Sequence, residues 1–587
     1  MTSRTVDTDV LIVGGGPTGL ALAVELGLRG VPCHLVEPRT RISPLRPRAK
    51  TTSVRTMEHF RRWGLAERLR AAAPLAVDWS QDAVFCVTLL GPEITRFREC
   101  FGLTAARDNL SPEAGQQVPQ PIVEQVLRTA VAELDSVDAA YGHRVTALAE
   151  CADESESEYI VEATVMGADT DSYRVRARYA VGCDGGGGIT RSSIGAVFVG
   201  DSDTRRNLSL AFSAPGLAAR VPHGPAVHYW SVGGAATGIL GPLDHDDRWF
   251  ATVAGYEGPD DGPQDPADLT GLVRALTGDP ELAVQVDSVD VWAARSLIAD
   301  RYLSLGRRIL LAGDAAHLNP PWGGHGFNTG VGDAANLGWK LAAVLAGWGG
   351  PGLLDSYTAE RRPVAARTID AAARHLRNTP LDLAGLVAGM SVPGSAAAAA
   401  GRAAAEAIHE SKDCEFHSLG LVLGYTYADS PIVAMDEVHK AHEAHEQVHE
   451  SPADPDVGYQ PTARPGARLP HLRLPDGGAL YDRLGPGHNL LCVGQTGDPT
   501  RFARAAAERG MPLHLVDLSG LLPTTTALAA LGASQLLVRP DQHVAWRGDD
   551  AGSRAAAVLE LVCGGPRPAR GTCVSSNEDA DPLVKGR

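Results

Sequence analysis

Three glycines near the N-terminus have the spacing of a phosphate-binding turn. Gly14, Gly16 and Gly19 form GxGxxG directly after the apolar run TDVLIV and before LALAVELGLRG, whose apolar spacing is helical. In such a turn the first glycine permits a tight bend, the second lets the backbone approach a pyrophosphate, and the third lets helix and strand pack closely. Glu37 follows 18 residues after Gly19, where a carboxylate can accept hydrogen bonds from ribose hydroxyls. The sequence therefore predicts a βαβ unit that binds a dinucleotide.

Two further glycine-rich stretches follow apolar runs later in the chain. GCDGGGGITRSSIG at 182–195 places Asp184 after a predicted strand, and RRILLAGDAAHLNPPWGGHGFNTG at 307–330 places Gly313 and Asp314 after another. Turns of this kind bring backbone amides and a few polar side chains to a ligand. The chain holds one strand, GxGxxG turn and helix, so a nicotinamide cofactor would bind without a Rossmann unit of its own.

Apolar periodicity divides the chain into interleaved units. Residues 8–37 predict strand, helix and strand, residues 51–73 one amphipathic helix, and residues 329–376 further helices. Alternating stretches such as AVHYWSV and WFATVAGY predict antiparallel strands. The predicted units are a dinucleotide-binding domain within 1–395, mainly 1–79, 106–198 and 300–395, interleaved with a β domain at about 80–105 and 199–299; a helical or linker segment at 396–459; a small α/β domain at 460–565; and a disordered tail at 566–587.

The composition argues against several classes of function. A net charge of −17 leaves no basic stripe for phosphates, so we expect no nucleic-acid partner. The nine cysteines are scattered and never spaced CxxC, which argues against a disulfide framework, a zinc ribbon or a dithiol centre and favours the cytoplasm. No uninterrupted apolar run reaches the roughly 18 residues of a membrane span, so we expect no membrane partner.

A run of histidines is the strongest candidate for a metal site. His439, His442, His445 and His449 have spacings of 3, 3 and 4, which would align them on one face of a helix. The glutamates between them fit an exposed, hydrated helix, and HEAHE is not the HExxH of zinc peptidases. We therefore predict no metal.

The three glycine-rich motifs, in this order and approximate spacing, resemble those of the flavoprotein aromatic hydroxylases. These are the single-component class A monooxygenases typified by p-hydroxybenzoate hydroxylase and phenol hydroxylase, and the resemblance covers residues 8 to about 375. It implies a Rossmann-like FAD-binding domain interleaved with an antiparallel β-sheet substrate domain. The unit after residue 460 resembles the thioredoxin-like domain appended to some of these enzymes, here without CxxC and so without dithiol chemistry.

The resemblance implies roles for particular residues. Gly14, Gly16, Gly19 and Glu37 would hold the ADP half of FAD, with Arg48 near its pyrophosphate and Gln120 near the ribityl chain. Asp184 would serve both FAD and NAD(P)H, Asp314 would bind a ribityl hydroxyl, and Gly313 would contact the cofactor in the same turn. Pro320 and Pro321 would lie near the reacting edge of the flavin ring, and Gly324, Phe327 and Asn328 would offer backbone contacts to the ring. Two positions depart from the family pattern. Gly186, Gly187 and Gly188 replace a small residue, a variable one and serine. His325 occupies a position often held by glutamine or another polar residue, where it would either tune the flavin or lie solvated in a loop.

The implied reaction is oxygen transfer. NAD(P)H would reduce FAD, O2 would form a C4a-hydroperoxyflavin, and one oxygen would pass to an aromatic substrate, which the size of the chain and the appended domain suggest is polycyclic or polyketide-like. Substrate candidates in the β domain are His223, His228, Tyr229, Trp230 and Tyr256, although each residue type also serves in packing. No catalytic base can be assigned. A homodimer is a further expectation.

Two alternatives stay open at the level of sequence. A Baeyer–Villiger or epoxidising oxygenase could use the same scaffold, because the oxygenated flavin serves both chemistries. A flavin-binding protein without turnover, acting as a ligand carrier, is compatible with the three successive glycines at 186–188.

Overall fold

The computed structural model describes residues 4–43, 50–152, 159–167, 171–259, 262–263, 265–378, 387, 395–435, 454–494 and 497–566. The strands, in chain order, are β1 (Thr5–Val13), β2 (Cys33–Glu37), β3 (Thr51–Thr52), β4 (Ala83–Cys86), β5 (Glu93–Phe97), β6 (Gln116–Gln117), β7 (Val137–Tyr141), β8 (Arg144–Ala152), β9 (Tyr159–Met166), β10 (Ser172–Gly182), β11 (Phe198–Ser213), β12 (His228–Ser231), β13 (Gly238–Pro242), β14 (Arg248–Ala254), β15 (Gln285–Ala299), β16 (Ile309–Leu311), β17 (His317–Leu318), β18 (His488–Cys492), β19 (Leu513–Asp517), β20 (Gln535–Val538) and β21 (Val544–Gly548).

Helices alternate with these strands. The α-helices are α1 (Pro17–Gly27), α2 (Val54–Arg62), α3 (Ala66–Ala72), α4 (Gln120–Ala132), α5 (Ile189–Ser193), α6 (Leu217–Arg220), α7 (Pro266–Thr277), α8 (Gly326–Leu345), α9 (Asp355–Arg377), α10 (Ser395–Phe416), α11 (Leu419–Leu423), α12 (Thr500–Arg509), α13 (Thr524–Leu531) and α14 (Ala555–Val562). Short 3₁₀ turns lie at Cys100–Gly102, Gly313–Ala315, Trp322–Gly324, Leu480–Arg483 and Gly552–Arg554. Among the described residues, no helix is long and apolar enough to cross a membrane.

The first sheet carries the nucleotide-binding motifs at the ends of its parallel strands. Its order is β7-β2-β1-β10-β9-β8, and β16 also pairs with β10. Strands β7, β2, β1, β10 and β16 run parallel, whereas β9 and β8 form an antiparallel extension. Because β1, β10 and β16 are neighbours, the turns that follow them meet at one edge of the sheet.

The second sheet is antiparallel apart from one pairing. Its order is β17-β15-β11-β14-β13-β12-β4-β5, and only β12 and β4 run parallel among its described pairs. Alternation along the strands gives the sheet two different faces. One face packs Leu208, Leu210, Trp249 and Leu240 against α7 in a core of its own. The opposite face is turned toward the glycine-rich stretch that follows β16, as the contact of Trp292 with Trp322 shows.

The third sheet belongs to the C-terminal unit. Its order is β19-β18-β20-β21, with β18 and β19 parallel and the remaining pairs antiparallel. Helix α12 connects β18 to β19, and α14 follows β21. This β-α-β and β-β-α arrangement is the thioredoxin-like pattern. The predicted fold class, an α/β unit interleaved with an antiparallel sheet and followed by a small α/β domain, is confirmed.

One predicted helix is wrong in detail. Residues 51–73 contain the short strand β3 and two helices rather than a single helix. The Ser53 hydroxyl caps α2 by accepting from the Thr56 backbone N–H, so the helix cannot extend back to residue 51. Gly64 adopts a φ of 73° and ends α2, because a left-handed residue stops the helical hydrogen-bond pattern. Residues 439–449 and 567–587 lie outside the described residues.

Candidate active site

The three glycines of the first turn differ in the space that surrounds them. A Cβ on Gly19 would lie 1.9 Å from the Gly14 carbonyl oxygen, and a Cβ on Gly14 would lie 2.4 Å from the Cys183 carbonyl oxygen. Both positions therefore exclude a side chain so that β1, α1 and the turn after β10 can approach one another. A Cβ on Gly16, by contrast, would meet nothing within 4 Å. The backbone at Gly16, where α1 begins without a side-chain cap, faces open space.

The Glu37 carboxylate is buried beside this turn. Its Oε2 accepts a hydrogen bond from the Gly15 N–H at 2.7 Å, and its Oε1 accepts from the backbone N–H and Nε of Arg39 at 2.9 and 2.7 Å. These bonds fix the carboxylate at the end of β2, as the sequence spacing predicts. Each carboxylate oxygen can accept more than one hydrogen bond, so the group keeps capacity for a ribose hydroxyl.

The turn after β16 is held from behind by a buried ionic cluster. Gly313 has a φ of 58° and its N–H donates to Asp333 Oδ2 at 3.0 Å. The same oxygen lies 2.7 Å from His317 Nε2, and Asp333 Oδ1 accepts from Arg361 Nε at 2.8 Å. Burial disfavours the charged form of both residues, but the opposite charge and hydrogen bonds of the partners outweigh that effect. The pKa of His317 is therefore raised and the pKa of Asp333 is lowered. The cluster therefore fixes the turn that carries the exposed side chain of Asp314.

Helix α8 begins at the end of this glycine-rich stretch. It has no side-chain cap, so the N–H groups of its first turn are available to an anion. The Asn328 side chain donates to the Gly324 and Thr51 carbonyl oxygens at 2.7 and 3.1 Å and accepts from the Ser53 N–H at 2.9 Å. Asn328 thus ties α8 to β3 and orients the helix N-terminus, a role beyond the backbone contact expected of it.

A small cavity of about 20 Å³ lies at this helix N-terminus. Its walls include Thr51, Phe101, Gly324, His325 and Asn328. His325 is 5% exposed, and burial lowers its pKa to about 4, so it is a neutral buried imidazole rather than a solvated loop histidine. Its Nε2 has no hydrogen-bond partner among the described residues.

Asp184 lies beside Gly14 and caps a helix. Its Oδ2 accepts from the backbone N–H and hydroxyl of Thr190, both at 2.9 Å, and its buried Oδ1 has no partner among the described residues. A Cβ on Gly188 would lie 2.1 Å from the Asp184 carboxyl carbon. Gly188, which stands where the family pattern has serine, is therefore required by the position of the Asp184 side chain.

The remaining cofactor candidates differ in how much the structure describes. Arg48 lies outside the described residues. Gln120 begins α4 and donates to Glu124 Oε1 at 2.8 Å, so in this structure its amide contacts its own helix. Pro321 is exposed, and Phe327 is partly buried against the core of the first sheet.

The five substrate candidates lie in three different places. His228 and Trp230 share the face of the second sheet that is turned toward the glycine-rich stretch, where His228 contacts Phe101 and Trp230 stacks on Phe85. Tyr229 points to the opposite face, in the core against Trp249. Tyr256 packs against that same core, and His223 lies in a loop, 3.5 Å from Glu93. The structure therefore brings only His228 and Trp230 to the side of the cavity.

Lys50 is a buried group that the sequence analysis did not select. The residue is 7% exposed, and its amine donates to the Val227 carbonyl oxygen at 2.7 Å. It lies 5.7 Å from the centre of the Phe250 ring, on the His228 side of the sheet. A sequence signal does exist, since only five of the 53 basic residues are lysines and this one directly precedes β3.

Comparison with known proteins identifies the family. A family model described as an FAD binding domain matches residues 7–372, and one described as the C-terminal domain of aromatic-ring hydroxylases matches residues 462–566. The chain belongs to the FAD-dependent aromatic-ring hydroxylases. It is thus a flavin-dependent monooxygenase, and FAD is its cofactor.

Relatives of this hydroxylase match over nearly their whole length. Aklavinone 12-hydroxylase RdmE of Streptomyces purpurascens is 30% identical over 95% of this chain and 98% of its own. The 2,4-dichlorophenol 6-monooxygenase of Cupriavidus pinatubonensis is 29% identical over 95% and 97%. The solved structure of the flavin-dependent monooxygenase PieE, in complex with FAD and substrate, superposes with a TM-score of 0.85 at 30% identity, covering 96% of this chain and 100% of that one.

Proposed function

We propose that this hydroxylase uses NADH or NADPH and O2 to hydroxylate a polycyclic, polyketide-like aromatic compound. The observation that carries the proposal is the composition of the face of the second sheet that is turned toward the glycine-rich stretch. Phe101, His228, Phe250 and Trp292 line it with rings, and Trp292 lies 6.1 Å from Trp322. Flat rings are the surface on which an aromatic substrate stacks. RdmE, whose name specifies a hydroxylase of aklavinone, supports the substrate class.

The residues of the nucleotide site fit FAD. The open space at Gly16 leaves room for a pyrophosphate at the start of α1, and Glu37 stands where the adenosine ribose would lie. Asp314 would meet the ribityl chain. The uncapped N-terminus of α8 and the loop at Gly324 would meet the flavin ring. When bound, FAD would take two electrons from the nicotinamide and use them to activate O2.

The contributions of the chain to this chemistry are positioning, charge stabilisation and exclusion of water. The first-turn amides of α8 stabilise negative charge without placing a side chain against the ring. The backbone around Gly324 gives close access for the same reason. His325 and Phe101 close the cavity on the protein side, which protects an oxidising species from water.

Anaerobic reduction tests the proposal. FAD-loaded protein is mixed with NADPH or NADH in the absence of O2, with and without a panel of hydroxylated anthraquinones, and flavin bleaching is followed. We expect one nicotinamide to reduce the flavin, and to do so faster when an aromatic ligand is present. A flavin that stays oxidised with every ligand would point to a flavin-binding protein without turnover.

The product and the assembly need separate measurements. Mass spectrometry of the product should show one added oxygen and an intact carbon skeleton, whereas ring expansion would indicate Baeyer–Villiger chemistry. Sedimentation of the FAD-loaded protein would test the expected homodimer, with a single monomeric species as the contrary result.

A further inference from the structure

Lys50 is a buried cation that no acidic side chain compensates within the described part of the chain. Its amine donates to one backbone oxygen, that of Val227. Burial alone lowers the pKa of Lys50, to about 7. A lysine in such a place destabilises the fold, because moving a charge out of water costs free energy that a single carbonyl does not return. Its presence there therefore calls for a role other than stability.

The other lysines that the structure describes provide the comparison. Lys340 lies 2.6 Å from Glu360, and Lys412 lies 2.8 Å from Glu415. Both are as buried as Lys50, and both have a buried carboxylate as partner. These two lysines follow the rule that a buried charge is paired. At Lys50, no carboxylate among the described residues takes the place of such a partner.

The surroundings of Lys50 are aromatic. Phe250 lies under the amine, and His228 contacts both Phe250 and Phe101 at ring distances of 5.8 and 5.2 Å. Among the described residues, His228 is a titratable group that faces Lys50, and burial together with the Lys50 charge lowers the pKa of His228 to about 3, so it stays neutral. Phe101 is also part of the wall of the cavity at the N-terminus of α8.

Gly241 is closely packed beside the Phe250 ring and the Val227 carbonyl. A Cβ on Gly241 would lie 2.5 Å from the Phe250 ring and 2.8 Å from the Val227 carbonyl oxygen to which Lys50 donates. The strand position next to Lys50 therefore accepts no side chain. The chain thus places one amine among rings, on the side of the sheet where the aromatic ligand is proposed to lie.

We propose that Lys50 binds the ionised oxygen of a phenolic substrate, so that the substrates of this hydroxylase are phenols rather than arenes without a hydroxyl. The inference rests on the proposed function. The neutral amine accepts the phenolic proton: the O–H bond breaks, its electron pair stays on the substrate oxygen, and an N–H bond forms to give an ammonium and phenolate pair. A phenolate ring is richer in electrons than the phenol and is a better acceptor of electrophilic oxygen.

Ligand binding to the oxidised, FAD-loaded protein tests the inference without turnover. The probes are 2-hydroxyanthraquinone, whose absorption shifts when it ionises, and its methyl ether, which cannot ionise. We expect the wild type to bind the hydroxyl compound at least about tenfold more tightly than the ether, the usual gain from a hydrogen bond to a charged group. The bound hydroxyl compound should show the phenolate spectrum at a pH at least about one unit below that needed in solution.

Two substitutions separate a binding role from a structural one. In Lys50→Met the preference for the hydroxyl compound should fall to near one and the phenolate spectrum should disappear at neutral pH, while the ether binds as before. In Lys50→Arg the preference should persist, because the guanidinium keeps the cation that binds the phenolate, and the phenolic proton is then lost to solvent. Undiminished preference and an unchanged spectrum in Lys50→Met would overturn the inference.

Thermal unfolding provides a readout that needs no ligand. The pKa of Lys50 is lower in the fold than in the unfolded chain, so the cost of the buried charge is complete below about pH 7 and decreases as pH rises toward about 10. Lys50→Met should therefore raise the melting temperature at pH 6 and lose that advantage by pH 10. A lower melting temperature at pH 6 would show that Lys50 is paired in the folded chain and would contradict the inference.

The two proposals fail in different ways. If the methyl ether stimulates NAD(P)H oxidation as strongly as the hydroxyl compound does, the proposed hydroxylase function is retained and the role proposed for Lys50 is contradicted. Phenolate binding that depends on Lys50, without any product, would support the site and contradict the proposed hydroxylation.

Discussion

At the scale of single residues, two glycines of one turn carry different constraints. Gly19 has no room for a methyl group because the Gly14 carbonyl oxygen occupies that place. Gly16 has room within the protein, and the space beside it is the place proposed for the cofactor pyrophosphate. Substitution by alanine should therefore separate folding from cofactor binding.

Gly16→Ala is predicted to weaken FAD binding without destabilising the protein freed of FAD. The φ of −74° and ψ of −176° at Gly16 suit alanine, so the fold does not need the glycine. A methyl group there would keep a pyrophosphate from the backbone. We expect a loss of affinity of at least about tenfold, equal to about 1.4 kcal/mol, measured by flavin fluorescence titration.

Gly19→Ala is the matched comparison. The added methyl group must separate α1 from the turn, so both FAD affinity and the melting temperature of the FAD-free protein should fall. Equal melting temperatures for the two FAD-free variants would contradict the packing described here.

At the scale of elements, the position of α8 depends on Asp333. This residue, on α8, holds the Gly313 turn, His317 and Arg361 of α9. All the side chains concerned are buried. Removing one partner from such a group leaves the others uncompensated.

Asp333→Asn is predicted to lower the free energy of unfolding by about 3–5 kcal/mol, the range for breaking a buried ion pair. The pKa of His317 is raised by Asp333, so the part of the stability that this pair contributes is present below about pH 6.5 and is lost as pH rises through the raised pKa. The difference between wild type and variant should therefore be larger at pH 6 than at pH 9, by denaturant unfolding.

Asp7→Asn is the control for Asp333→Asn. Asp7 pairs with Arg176 at 2.9 Å, but its side chain is 66% exposed. Exposed pairs contribute about 0–1 kcal/mol. A loss for Asp7→Asn as large as that for Asp333→Asn would contradict the role given to burial.

At the scale of the whole molecule, the C-terminal unit is joined to the FAD-binding unit through buried charges. Arg539 donates to both oxygens of Glu360 on α9, at 2.6 and 2.8 Å, and to Asp541. Asp541 in turn accepts from Asn336 and Trp339 of α8. The thioredoxin-like unit thus holds the far side of the helix whose N-terminus forms the cavity.

Arg539→Met is predicted to cost about 3–5 kcal/mol, because Glu360 and Asp541 would keep buried negative charges with fewer partners. The two units should then unfold in separate steps by calorimetry rather than in one. Arg504→Met is the control, since Arg504 is 80% exposed and lies 3.8 Å from Glu508. Separate steps already present in the wild type would contradict the proposed coupling.

Local features of the site could be predicted from sequence, and long-range ones could not. GxGxxG, Glu37 and the Gly313 turn depend on residues close together in the chain, so their spacing determines their geometry. Lys50 and Val227 are 177 positions apart, and Arg539 and Glu360 are 179 apart. Such contacts depend on the packing of whole sheets and units.

The face of the second sheet that carries His228 also could not be assigned from the sequence alone. His228 and Tyr229 are neighbours in the chain, yet they lie on opposite faces of one strand. Alternation predicts that one faces the ligand and the other the core, but the choice between them is set by the position of α7. The break of the predicted helix, by contrast, has a local signal, since a glycine such as Gly64 often follows the last residues of a helix.

The fate of molecular oxygen tests the central claim most directly. FAD-loaded protein is incubated under ¹⁸O2 with NADPH or NADH and with 2-hydroxyanthraquinone or a related phenol. The mass of the product is then measured by mass spectrometry. We expect one ¹⁸O atom in a new ring hydroxyl, with nicotinamide oxidised in a matching amount. Product whose added oxygen comes from water, or no product with any phenol of the panel, would contradict it.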